Sequence, residues 1–270
     1  MTEAPFTTPA DAVDQAASAA ADQAFLNEIA TMCAKRSGTY SMLSRLFASE
    51  PDATLVEDLH AGRFPSSTGC PDADQGYRMI ATYLSGRWAG TVADLAVDFS
   101  RTFVGNSADA FSAAYPMESV YTSEKRLRMQ EARDEVLAIY RSHKLDKADA
   151  WAEYEDHLSA ELEFMQVLCD RAAACLTSGD EDGAIAYLTT QRNFLEDHLV
   201  CWVPMLCQDM KRFAKTDFYR GLAFLTDGFL QTDFEFLSDL LSEDSDDEAS
   251  AADAAPGANA AADDSTAVER

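Results

Sequence analysis

The chain has 270 residues, 47% of them hydrophobic, and a net charge of −26 from 21 Lys and Arg against 47 Asp and Glu. That length provides one large domain or two small ones, with enough apolar residues for a substantial core. The charge argues against nucleic acid, whose binding rests on cations that neutralise phosphates, and against anionic membrane surfaces; it favours basic partners.

The charge is uneven. Glu243 to Arg270 holds nine acidic residues and one Arg, a net of −8, and the other 242 residues carry −18. The start of the chain contains Asp and Glu and lacks a basic stretch followed by an apolar block, so no secretory signal is read. The longest apolar run, Leu199 to Leu206, is eight residues, far below the roughly 20 that span a bilayer. The expectation is a soluble, cytoplasmic protein without a membrane span.

In chain order, residues 1–20 are rich in Ala, Thr, Asp and Pro and read as disordered. A helix is expected from Phe25, with a break at Ser37-Gly38 and a further face at Tyr40, Leu43 and Phe47, stopped by Glu50-Pro51-Asp52. A short helix follows, with Leu55, Val56 and Leu59 inward. Phe64 to Asp72 reads as a loop. Tyr77, Ile80, Ala81, Leu84 and Trp88 lie at helical spacing, then Val92, Leu95, Ala96, Phe99 and Phe103, a helix that Gly105 ends. A connection runs to Tyr121. Ser119 or Thr122 caps a helix with Met129, Ala132, Val136, Ile139 and Tyr140 inward, ending near His143.

Residues 143–150 are polar and read as a hinge. Helices are expected at about 151–177 and 181–203, joined by a turn at Ser178-Gly179-Asp180, with Pro204 kinking or ending the second near Cys201. Phe218, Leu222, Leu225 and Phe229 open the last helix, continuing to Phe234, Leu237 and Leu240. Residues 242–270 form an acidic tail read as disordered. No alternating run bounded by hairpin turns is present. The fold class is therefore all-α: a single bundle of about ten helices over residues 21–241, with a hinge between its halves.

Two histidines enter helices from an Asp-His-Leu step. Leu158, Leu162, Met165 and Cys169 follow His157 at i, i+4, i+7 and i+11, and Leu195, Leu199, Trp202 and Leu206 repeat that spacing around His198. The Glu-x-x-His pattern of di-iron bundles fails, because Tyr154 and Leu195 stand three residues before the histidines. No His-Glu-x-x-His, Gly-rich phosphate loop or Gly-x-Ser-x-Gly is present. The six cysteines, Cys33, Cys70, Cys169, Cys175, Cys201 and Cys207, show no CxxC spacing and read as small core residues in a reducing compartment. His198 with Cys201 is at most half a metal site. The histidines read equally as structural ties, and Trp88, Trp151 and Trp202 as core rather than as a binding platform.

Five short segments, in order, resemble the TorD/DmsD family of redox-enzyme maturation chaperones over roughly residues 37–240. They are Tyr40 to Phe47; Asp98-Phe99-Ser100-Arg101-Thr102-Phe103-Val104-Gly105; Pro116-Met117-Glu118-Ser119-Val120-Tyr121; Glu153-Tyr154-Glu155-Asp156-His157; and His198-Leu199-Val200-Cys201-Trp202-Val203-Pro204. The fourth departs from the family's Glu-Pro-x-Asp-His at Tyr154, which removes the fixed φ of a hinge proline.

The resemblance implies a non-enzymatic binding protein with no cofactor, catalytic residue or metal of its own. Its partner would be the twin-arginine signal peptide of the apo form of a molybdopterin-containing oxidoreductase subunit, held until the cofactor is inserted. It also implies a single helical domain, monomeric or dimerised by swapping helices across the hinge. The family's peptide-binding step falls on Asp156 and His157. Carboxylates suited to the leader arginines are Glu118, Glu153, Glu155 and Asp156; Tyr40, Trp88, Tyr115 and Tyr121 are aromatic candidates for the apolar part. The competing readings are a helical metal protein or enzyme using His157, His198 and a cysteine, and a helical interaction module with no leader specificity.

Overall fold

A computed structural model of the chain describes residues 9–62, 64–65, 67–106, 109, 111–146 and 153–253, with side chains from residue 20 to residue 242. Ten α-helices follow one another: α1 Pro9–Ala48, α2 Ala53–Ala61, α3 Pro71–Ser85, α4 Thr91–Phe99, α5 Glu118–Thr122, α6 Glu131–Ser142, α7 Leu158–Ser178, α8 Glu181–His198, α9 Val203–Phe213 and α10 Asp217–Asp253. A π-helical turn, Ser100–Val104, extends α4. The described residues contain no strand, and none of their helices is long and apolar enough to cross a membrane.

The helix ends follow local chemistry. The Asp52 carboxylate accepts from the Leu55 amide at 2.8 Å and caps α2. Pro71 opens α3, with Asp72 and Asp74 in its first turn, where negative charge suits the helix dipole. The turn at Ser178-Gly179-Asp180 closes α7, and the Asp180 carboxylate caps α8 through the Gly183 amide at 3.0 Å. Gly105 ends the π-helical turn at φ +53, and a Cβ there would lie 2.5 Å from that of Ala113.

Several sequence expectations need correction. α1 runs unbroken through Ser37-Gly38, because one face stays in the core at Cys33, Tyr40, Leu43 and Phe47. The expected boundaries at residues 20 and 241 fall inside α1 and α10; residues 1–8 and 254–270 lie outside the described residues, as do 147–152, which include half of the expected hinge. α7 begins at Leu158 rather than near residue 151. Trp88 stands beyond the end of α3, 66% exposed. Trp202 is buried, whereas Trp151 lies outside the described residues.

The stretch expected to run as one helix from Ser119 is divided into α5 and α6 by Ser123–Gln130, where Arg126 and Met129 take positive φ of 51° and 59°. Met129 is exposed, not inward. The stretch 181–203 likewise ends at His198, and Pro204 opens the separate helix α9. Its ring would clash with the Val200 carbonyl of a continuous helix.

The main helix pairings are α1 with α7 and α3 with α10; α8 and α9 pack against α10. One contiguous core joins all of them, from Leu43 and Phe47 on α1 through Leu162 on α7 to Leu222 on α10. The crossing of α3 and α10 brings backbone against backbone: a Cβ at Gly76 would overlap the Leu225 amide nitrogen, and one at Gly221 would sit 2.9 Å from the Gly76 carbonyl oxygen. Gly76→Ala is therefore expected to destabilise by about 1–3 kcal/mol, as overpacking does, read as a lower urea midpoint at unchanged slope.

Candidate functional site

The two halves of the bundle meet where two extended segments run antiparallel. The Glu118 amide donates to the Asp156 carbonyl and the Leu158 amide to the Pro116 carbonyl, each at 2.9 Å, with Met117 opposite His157. Each segment then turns into a helix. Helix α5 spans only Glu118–Thr122 and has no cap of its own at Met117. The Asp156 carboxylate supplies one from across the joint, accepting from the Ser119 amide at 3.0 Å. On the other segment, His157 caps α7: its Nδ1 accepts from the Ser159 amide at 3.2 Å and lies 2.7 Å from the Ser159 hydroxyl. Tyr154 is half-buried and packs on a small core of Ala113, Tyr115, Met117 and Val120.

Behind this joint lies a buried cluster of acids. Glu118, Asp156 and Glu161 are all 3% exposed or less. Glu118 sits 3.2 Å from Nδ1 of His198. Burial raises the Glu118 carboxyl and the bond to His198 holds it back. Burial would lower His198, yet the bond to Glu118 and the charges of Glu118, Asp197 and Glu135 outweigh it, so its pKa is raised. Burial, then Glu118 and Asp156, push Glu161 well above the carboxylate range. Both Glu161 oxygens are buried with no hydrogen-bond donor beside them. Burial thus favours the neutral form of Glu161, while the bond between Glu118 and His198 favours the charged forms of that pair.

Tyr140 closes the cluster, its hydroxyl 3.2 Å from the Glu155 carbonyl, and the Glu155 carboxylate pairs with Arg133 at 2.6 Å. His157 is neutral: burial, then the charge of Arg128, lowers its pKa from 6.5 to about 4.

Toward solvent, the joint carries a layered stack. The Trp202 indole donates to the His198 carbonyl at 2.6 Å, which fixes its ring. Tyr121 stacks on Trp202 with centroids 5.6 Å apart and planes at 27°. The Arg126 guanidinium lies 4.7 Å from the Tyr121 ring centre and 5.0 Å from that of Phe111. Asp209 on α9 pairs with Arg126 at 3.0 Å and accepts from the Tyr121 hydroxyl at 3.1 Å. Phe111, over which Arg126 lies, is exposed, as are Leu127 and Met129 on the segment that carries Arg126 and Met205 near the start of α9; exposed apolar side chains of this kind can mark interaction sites.

Of the residues singled out in the sequence, the structure brings together Glu118, Tyr121, Glu155, Asp156 and His157, with Glu153 half-buried at the start of the same segment. Asp156 and His157 face inward, so they shape the joint rather than project from it. Tyr40 is elsewhere: fully buried on α1, it donates to Asp233, which Arg36 also binds. This group lies beside a cavity of about 370 Å³ whose lining includes Arg36, Thr39, Tyr77, Phe229 and Asp233. Trp88 is also apart, in the turn between α3 and α4, its indole donating to Asp94 at 3.1 Å.

Sequence reasoning missed Phe111, Arg126, Glu161 and Asp209. The Glu161 signal was present, a carboxylate one turn after His157 on the buried face; Arg126 and Asp209 meet only through tertiary folding. Among the described residues no three His, Cys, Asp or Glu side chains are placed to hold a metal ion. His157 and His198 spend Nδ1 on different partners, Ser159 and Glu118, and all six cysteines are free thiols.

The class that the fold and the site define is an all-helical bundle with a buried acid–histidine joint and an aromatic outer face. A model of the family described as nitrate reductase delta subunit matches residues 70–208, just over half of the chain, including the joint, the buried acids and the stack. The chain belongs to this family, that of the TorD-type redox-enzyme maturation chaperones. It is similar to chaperone protein TorD of Vibrio cholerae, 29% identical over 150 residues, which are 56% of this chain and 65% of that protein. It thus spans less than two thirds of the length of that relative. It is 22% identical to TorD of Aliivibrio salmonicida over 222 residues, 79% of this chain and 99% of that protein. It is 34% identical to the perchlorate reductase assembly chaperone protein of Dechloromonas aromatica over 101 residues, 37% of this chain and 44% of that one.

The buried neutral His157 carries a pH signature. A histidine whose folded pKa lies below its unfolded value stabilises the fold above the unfolded value, and this is lost as pH falls through the folded one. His157→Asn keeps a capping acceptor and removes the titration. Relative to that variant, the wild-type protein is expected to lose up to ~3 kcal/mol between pH 6.5 and 4, measured by urea unfolding at each pH.

Proposed function

We propose that this protein is a cytoplasmic chaperone of molybdoenzyme maturation. It binds the twin-arginine signal peptide of an apo, molybdopterin-containing oxidoreductase subunit and holds it until cofactor insertion, without catalysing a reaction. The observation that carries this reading is membership of a family whose relatives bear the names of TorD and of a perchlorate reductase assembly chaperone.

The geometry supports a division of labour. A twin-arginine leader has a basic start and an apolar middle. For the apolar part the exposed side chains of Phe111, Leu127, Met129 and Met205 are the candidates. For the basic part the candidates are the carboxylates of Asp209, beside Arg126 and Tyr121, and Glu153. Asp156 and His157 act from beneath: they cap α5 and α7, and α5 carries Tyr121 into the outer face. The net charge of −26 steers a basic peptide and raises its on-rate, while desolvated contacts supply most of the affinity. Tyr40 and Trp88 are not part of this surface.

Calorimetric titration with a twin-arginine leader peptide is expected to give micromolar or tighter binding, weakened when both arginines are alanine. Asp156→Ala and His157→Ala are each expected to weaken it about tenfold, since losing a cap costs ~1 kcal/mol and also displaces the helix it caps, α5 for Asp156 and α7 for His157. Unchanged binding in both variants would remove the joint from the site. Equal affinity for the arginine-free peptide would leave an interaction module without leader specificity.

A further inference from the structure

The contacts of Arg126 go beyond a surface ion pair. Its guanidinium lies over the rings of both Tyr121 and Phe111, at 4.7 and 5.0 Å from their centres, within cation–π range. Tyr121 is backed by Trp202, so the layers run continuously from the bundle core to solvent. Asp209 meets the edge of the guanidinium with one oxygen, Oδ2, at 3.0 Å. Two aromatic faces and a carboxylate at the edge are the elements that recognise arginine and reject lysine, which has no plane to stack and no fork to match a carboxylate.

The occupant fits this site incompletely. Only Nη2 of Arg126 reaches Asp209, the bond is to a single oxygen, and Nε is buried without a partner. Oδ1 of Asp209 is left for a second donor. A guanidinium entering from outside has no tether and can present two parallel N–H groups to both oxygens. The tether itself is strained: Arg126 takes a φ of +51° and Met129 one of +59°, in a region unfavourable to residues with a Cβ. The segment that carries them, Ser123–Gln130, is mostly exposed.

We infer that Phe111, Tyr121 and Asp209 form an arginine-binding cage that the chain's own Arg126 occupies in the free protein, and that one arginine of the leader displaces it. The inference rests on the chaperone reading for the identity of the incoming peptide, but not for the chemistry of the cage. Arg126 then acts as an internal competitor. The apparent affinity for a leader is reduced by the fraction of molecules whose cage is closed, and release of Ser123–Gln130 accompanies binding. A cage that opens only for a guanidinium also sets specificity, because a lysine or an apolar side chain gains less than the loss of Arg126 costs.

The test uses full-length protein in three forms: wild type, Arg126→Ala, and Arg126→Ala with Asp209→Asn, each checked for unchanged circular dichroism. Arg126→Ala is expected to bind a twin-arginine leader about tenfold more tightly than wild type while its affinity for the twin-lysine leader stays the same. The double variant is expected to bind both leaders alike. Unchanged or weaker binding of the twin-arginine leader by Arg126→Ala would overturn the inference. If no form binds any leader, N-acetyl-arginine amide decides by NMR titration. Its binding to Arg126→Ala, in preference to N-acetyl-lysine amide, sustains the cage and removes the chaperone reading; its failure to bind removes the cage.

Discussion

The structure turns on the pairing of Pro116-Met117-Glu118 with Asp156-His157-Leu158. These short extended segments are far apart in sequence, and each ends by starting a helix whose first turn the joint itself caps. Helix α5 has five residues, too few to be stable alone, and it exists because Asp156 satisfies its first free amide. From α5, Glu118 reaches His198 at the end of α8, the His198 carbonyl holds Trp202, and Trp202 carries the ring of Tyr121. The outer face is thus built outward from one buried acid–base pair.

Burying that pair is expensive, and the cluster limits the expense by holding few charges. Of the carboxyls around His198, Glu161 is pushed toward its neutral form by burial, Asp156 accepts a backbone amide, and Glu118 faces the histidine. Removing one partner of a buried pair strands the other, which is why such pairs matter more when broken than their net contribution suggests. His157 contributes in the opposite sense: it remains an uncharged cap in an environment that does not tolerate its protonation. The two histidines that look alike in sequence therefore have opposite electrostatic roles.

The division between a rigid joint and an exposed, strained segment suits a chaperone. The joint and core supply a fixed platform, while Ser123–Gln130 carries exposed apolar side chains and two residues at positive φ. Arg126 links the two, stacked on the platform but carried by the segment. An acidic protein draws a basic peptide toward itself from a distance, yet charge alone discriminates poorly between arginine and lysine. Stacking and hydrogen-bond geometry at short range provide that distinction.

The sequence by itself determined the helical class, most of the helices and their buried faces, because apolar spacing on α3, α7 and α10 records which side meets the core. It also determined the family, through short segments whose order is preserved along the chain, and it marked Glu118, Asp156 and His157 as residues that belong together. Helix interruptions were less legible. Before α6, Arg126 and Met129 take positive φ, and Arg126 meets Asp209 from α9 and the ring of Phe111, contacts that no local propensity encodes. Only the tertiary structure decided that Asp156 and His157 face inward, that Tyr40 and Trp88 lie elsewhere, and that Arg126 meets Asp209. The physical reason is that burial and pairing depend on which distant segments share a volume, whereas periodicity reports only on one helix at a time.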